Sequence, residues 1–189
     1  KLMVKFKYKT KIHNFFHLPK TGGTSISFLI QDKFEYDLVW KLYEKEFPLG
    51  SQHLDYNHYS NHVSSNDLNF TVVRNPVDRI VSLYKNFIAK DTNNYNSFTD
   101  WFNITARTTP HILKSQSSIL KGGTFKFFNF DNMSLLENYF GAELPKYNVI
   151  DLVVQIDDNE VDFIKKYYLE DFQLLEYINS QKHIDETTV

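Results

Sequence analysis

Cysteine is absent from this 189-residue sequence, which rules out a disulfide framework and thiolate metal sites and suits a reducing compartment. No stretch approaches the ~18 consecutive apolar residues of a membrane span, and the Lys-rich start lacks the apolar run of a secretory signal. The chain therefore reads as soluble, with no membrane span. Charge of one sign is also lacking, since 21 Lys and Arg against 23 Asp and Glu leave a net −2. That balance excludes a broad nucleic-acid or anionic-membrane surface, but it leaves room for a local anion pocket. No internal repeat or low-complexity segment interrupts the chain. What is abundant is aromatic: 17 Phe, 12 Tyr and 2 Trp within a 42% hydrophobic composition. Such a chain forms an ordered core, and residues 1–189 are expected to make one domain.

Ile12 to Leu18 is an apolar run ended by Pro19 and a glycine pair, after which Ile26, Leu29, Ile30 and Phe34 recur at helical spacing. Residues 41–66 show no clean period and read as loop with short elements. Phe70 to Val73 is a short buried strand ending at Arg74-Asn-Pro76, and Pro76 suits the first turn of a helix whose apolar face is Ile80, Leu83, Tyr84, Phe87 and Ile88. Ser97 with Asp100 opens a further helix. Phe125 to Phe130 reads as a strand, and Ser134-Leu-Leu-Glu137 as a capping box starting a helix closed by Gly141. Val161, Ile164, Tyr168, Phe172 and Leu175 form one long stripe. Alternating strand, loop and helix predict an α/β domain with a mainly parallel sheet and helices on its faces.

The string His17-Leu-Pro-Lys-Thr-Gly-Gly-Thr-Ser25 runs from a buried strand through two glycines into a helix. Glycines admit positive φ and close approach, while a helix start offers free N–H groups and the positive end of its dipole. Lys20 adds a mobile cation, and Thr21, Thr24 and Ser25 add hydroxyls. The order excludes a nucleoside-triphosphate loop, in which Lys follows the glycines; here Lys20 precedes Gly22 and Gly23. In Phe70-Thr-Val-Val-Arg-Asn-Pro-Val-Asp-Arg-Ile-Val-Ser-Leu-Tyr84, Arg74 stands at the carboxyl end of a strand, where open α/β sheets bind ligands, and Ser82 two turns into the next helix. A guanidinium fork and a hydroxyl suit a phosphate if the two converge.

Phe16 to Ser25 and Val73 to Tyr84 together resemble the 5′-phosphosulfate loop and 3′-phosphate segment of the sulfotransferases that use 3′-phosphoadenosine 5′-phosphosulfate (PAPS). The likeness is greatest to Golgi-type carbohydrate sulfotransferases and their microbial relatives. His111-Ile-Leu-Lys-Ser-Gln116, Phe128-Asn-Phe-Asp-Asn-Met133, Leu144 to Asn148 and Ile164 to Phe172 resemble further segments, extending the likeness over residues 13–178. The resemblance implies a P-loop nucleotide-kinase-like three-layer fold, PAPS as donor and 3′-phosphoadenosine 5′-phosphate (PAP) as product. It assigns Lys20 to the bridging and leaving oxygen, Thr21, Gly22, Gly23, Thr24 and Ser25 to the 5′-phosphosulfate, and Arg74 and Ser82 to the 3′-phosphate.

A base is needed for the acceptor hydroxyl, and His is the natural group. His53 stands about where the family places one, with His58 its rival. No metal is expected. His111 and Asp55 are lesser candidates for the acceptor site; Arg79 is expected in a structural ion pair and His17 packed at the strand end. His13, His62 and His183 read as surface residues, and the lysines at the amino end as a solvated face. The acceptor is a hydroxyl compound, with carbohydrate implied by the resemblance, and oligomeric state is unreadable. The location expected is cytoplasmic in a microbe or virus, or the Golgi lumen if the sequence is a fragment of an anchored protein. Two other readings stay open: a phosphotransferase of related fold, and a non-catalytic module that binds nucleotide or glycan.

Overall fold

The computed structural model describes residues 3–38, 55–90, 95–147 and 150–185. Within them a five-stranded sheet has the order β3-β1-β2-β4-β5, formed by β1 (Met3–Tyr8), β2 (Lys11–Phe16), β3 (Tyr36–Asp37), β4 (Leu68–Val73) and β5 (Lys126–Asn129). The β2–β4 and β4–β5 pairs are parallel, whereas β1 runs antiparallel to both β2 and β3. All strands but β1 thus point one way, as the mainly parallel expectation requires. No helix among the described residues is long and apolar enough to cross a membrane.

Successive side chains on a strand face opposite ways, and here both faces are apolar. Val4, Phe6, Phe15, Phe70, Val72 and Phe128 pack under α1 (Gly23–Lys33) and α6 (Ser134–Phe140). On the other face Met3, Phe16 and Val73 meet Tyr59 of α2 (Tyr56–Tyr59), Ile119 and Leu120 of α5 (Gln116–Leu120) and Ile178 of α8 (Leu169–Asp185). This is the three-layer α/β arrangement. Each fully buried Phe in it contributes about 2 kcal/mol of hydrophobic stabilisation. A third cluster, beyond the strand ends, joins α3 (Pro76–Ile88), α4 (Phe98–Thr108) and α7 (Asp158–Tyr167) through Leu83, Trp101, Phe102 and Ile164.

Several local expectations hold. Asn75 caps α3 ahead of Pro76, its side chain accepting from the Val77 N–H at 2.9 Å, and Ser97 caps α4 from Asp100 N–H at 3.1 Å. Gly141 closes α6 at φ 64°. Others are corrected. Ser134 does not cap α6; its hydroxyl donates to Asn132 Oδ1, and Glu137 accepts from the Leu144 N–H instead. The capping box lies on α7, between Asp157 and Glu160.

The long stripe from Val161 to Leu175 is two helices, broken at Tyr168 (φ −110°, ψ 32°). Its hydroxyl donates to the Leu113 carbonyl at 2.7 Å, a tertiary bond that periodicity does not reveal. The lysine-rich start is strand β1, turning through Lys9 at φ 53° into β2. Lys5 is not merely solvated: its ammonium is 3.0 Å from the Asp67 carboxylate. His13 is buried rather than superficial, 2.9 Å from the Tyr139 hydroxyl, and burial lowers its pKa.

Candidate anion-binding active site

Three adjacent parallel strands each deliver a residue to the same place just past their carboxyl ends: the loop from His17 follows β2, Arg74 follows β4 and Phe130 follows β5. In the loop, Lys20 (φ 65°) and Gly22 (φ 76°) both take left-handed backbone. For a lysine that conformation costs about 1 kcal/mol, a strain typical of functional turns. Thr21 between them is fully buried, and its hydroxyl donates to the Leu18 carbonyl at 2.9 Å, tying the turn. Gly22 then precedes α1 with no side-chain cap and no acidic residue in the first turn. The positive end of the helix dipole is left facing the site. At Gly23 a Cβ would overlap the His17 imidazole, so glycine is required for the close approach.

Arg74 is held from several sides. Its backbone N–H donates to Gln116 Oε1 at 3.0 Å and its carbonyl accepts from Gln116 Nε2 at 2.9 Å. The guanidinium donates to the Lys20 carbonyl at 3.2 Å and lies 4.3 Å over the Phe130 ring, a cation–π contact. Helix α3 then carries Asp78, Ser82, Lys85 and Asn86 into the same wall, at the spacing of one helix face. Arg79 leaves on the opposite side, buried, 3.9 Å from the Asp171 carboxylate, in the expected structural pair.

Between the loop and α3 opens a cavity of about 680 Å³. Its wall includes four cationic side chains, Lys20, Arg74, Lys85 and Lys90, against the single carboxylate of Asp78. Among the described residues none of the four lysine and arginine heads is in a salt bridge. Burial, then the Arg74 and Lys90 charges, lower the Lys20 pKa. Burial also lowers that of Arg74, against the opposing pull of Asp78 and Asp131. Like charges gathered in a partly dry pocket are stabilised by an anion between them.

Lys20, Gly22, Gly23, Thr24, Ser25, Arg74 and Ser82 all line this cavity. Thr21 does not, its hydroxyl being committed to the turn. The Ser25 oxygen accepts from the Tyr147 N–H at 3.2 Å. His53 lies outside the described residues. His58 is exposed on α2 and is not part of the cavity wall. Asp55 accepts from the Lys114 ammonium at 2.8 Å. His111 is half-buried in a short turn, Pro110–Leu113, with its pKa lowered by burial and then by Lys114, and the next residue, Ile112, reaches the cavity.

Sequence reading missed His17, Asp78, Lys85, Asn86, Lys90, Phe130 and Tyr147 as wall residues. Lys85 and Asn86 could have been found from their three- and four-residue spacing from Ser82. Phe130 and Tyr147 carry no such signal.

A sequence model of the sulfotransferase family matches residues 7–126. The chain belongs to the sulfotransferase family. It is accordingly an enzyme of sulfuryl transfer to a hydroxyl-bearing acceptor, and the matched stretch contains both site segments and all four cavity cations. Helices α6, α7 and α8 of this sulfotransferase lie beyond the match. No curated protein and no solved structure gives a match of its own.

Proposed function

We propose that residues 1–189 act as one domain that moves the sulfuryl group of PAPS to a carbohydrate hydroxyl by in-line displacement, releasing PAP. The supporting observation is the cavity where the Lys20 loop, the start of α1 and Arg74 converge with four cations and one acid. PAPS carries anionic groups at both ends, which the cations of this cavity suit; a second, smaller cavity between α4 and α7 is instead lined by the acids Asp157 and Glu160. The 3′-phosphate sits against Arg74 and Ser82, and the 5′-phosphosulfate against Gly22, Gly23, Thr24 and Ser25. Thr21 serves by holding the turn.

In the transfer, the acceptor oxygen forms a bond to sulfur as the bond from sulfur to the phosphate oxygen breaks. The hydroxyl proton passes to a histidine base, and the electron pair remains on the phosphate of PAP. Lys20 stabilises that leaving oxygen, the place where charge develops. His53 is the base in this reading and His58 its rival. Phe87 and Tyr147 in the wall provide flat apolar surface on which adenine or a sugar ring can stack.

Calorimetric titration with PAP tests the donor site, comparing the chain with Lys20→Ala and Arg74→Ala and using ATP with Mg²⁺ as a control. Tight PAP binding that weakens in both variants is the expected result. Absent PAP binding by the folded chain, with ATP bound instead, returns the phosphotransferase. Turnover of PAPS against a panel of glycans, repeated with His53→Ala and His58→Ala, then separates an enzyme with a named base from a module that binds without turnover.

A further inference from the structure

Gln116 (fully buried, at the start of α5) closes a ring of two hydrogen bonds with the peptide of Arg74, giving and accepting one each at 2.9 and 3.0 Å. The amide side chain thereby acts as a neighbouring strand would, at the point where β4 has ended. Gln116 is itself fixed from α8. The two oxygens of buried Asp171 accept from the Gln116 N–H at 2.9 Å and the Ser117 N–H at 2.8 Å. Arg79, 3.9 Å from that carboxylate, also donates to the Lys114 carbonyl at 3.0 Å. The Arg74 guanidinium has one hydrogen bond of its own and the Phe130 ring, so the direction of its fork depends on where its backbone is pinned.

We propose that Gln116 is a positioning residue for Arg74, and that α8, through Asp171, holds Gln116 in place. The inference rests on Arg74 as the 3′-phosphate ligand of the proposed function. It extends the anion site beyond the family-matched stretch of residues 7–126 into α8. The links from Asp171 through Gln116 to the Arg74 backbone are all hydrogen bonds; a buried chain of that kind is stiff, and a small misplacement of a charged fork costs more than its bond count suggests.

The test is PAP affinity by calorimetry across a pH range, with thermal stability and PAPS kinetics measured on the same proteins. Gln116→Leu removes both bonds, and PAP affinity is expected to fall about tenfold or more, with KM for PAPS raised more than kcat is lowered. In Gln116→Glu the ionised carboxylate accepts from the Arg74 N–H but repels the Arg74 carbonyl. The neutral acid restores both bonds, so affinity relative to the parent at each pH recovers as pH falls. Ile119→Val, a buried change on the same helix, lowers stability and leaves PAP affinity unchanged.

A parent chain that binds no PAP overturns the donor reading and this inference with it. A parent that binds, together with a Gln116→Leu variant of equal affinity, overturns the inference alone. Should Gln116→Leu fail to fold, a Gln116→Glu variant whose relative affinity is flat with pH does the same.

Discussion

The loop from His17 to Ser25 and the segment from Arg74 to Ser82 face each other across one cavity, but they are constructed differently. The loop is shaped by its own residues: two left-handed positions at Lys20 and Gly22, a Thr21 hydroxyl returned to Leu18, and a helix start two residues later. Arg74 depends on partners far away in the chain, with Gln116 on its backbone, Lys20 and Phe130 at its guanidinium, and Asp171 behind Gln116. One half of the site is a local motif, whereas the other is an assembly. Damage to the first should register as chemistry, and damage to the second as stability and placement.

The largest expected effect follows from breaking the assembly at its far end. Asp171→Ala leaves Arg79 charged and buried without its partner, and removes the acceptors of two α5 N–H groups. A loss of about 4 kcal/mol of folding stability is expected, read from denaturant unfolding. Next is Lys20→Ala in the loop, which should keep the fold while raising the barrier to transfer by about 3 kcal/mol, measured as kcat with saturating PAPS.

Arg74→Lys keeps the charge but loses the planar fork and the Phe130 face, and PAP affinity should weaken by about 2 kcal/mol; an unchanged affinity would reduce Arg74 to a point charge.

The smallest effect is a pH dependence. Lys20 holds its proton less readily than an ordinary lysine because of burial and the charges of Arg74 and Lys90. A bound anion beside it attracts the ammonium and so offsets both causes, and the complex retains protons that the free chain loses. PAP affinity therefore declines as pH rises through the lowered Lys20 value, with proton uptake on binding at alkaline pH. Calorimetry in buffers of different ionisation enthalpy reads that uptake, which Lys20→Ala should remove.

The same contrast explains what could be read in advance. Strand, loop and helix around Gly22 and Gly23 were legible because each step is local: an apolar run, a turn residue, a helical stripe. So were the Asn75 and Pro76 start of α3 and the Gly141 stop of α6. The errors fall where a partner that periodicity does not show intervenes, near in the chain for Ser134 and Glu137 and far for Tyr168 and His13. Ser134 had the spacing of a cap, yet its hydroxyl found Asn132 and Glu137 found Leu144. The stripe through Tyr168 had the spacing of one helix, but its hydroxyl reaches Leu113 across the helical cluster. His13 looked superficial beside its lysines, although Tyr139 of α6 covers it.

By itself the sequence determined the α/β class, the presence of a glycine loop between β2 and α1 and the identity of the two segments that line the cavity, because those depend on short-range sterics and periodicity. Only the tertiary structure decided that three strand ends would meet, that Lys90, Phe130 and Tyr147 would join the wall, and that Gln116 and Asp171 would stand behind Arg74. Those contacts link residues separated by tens of positions, and they form because burying both faces of one sheet brings their elements together.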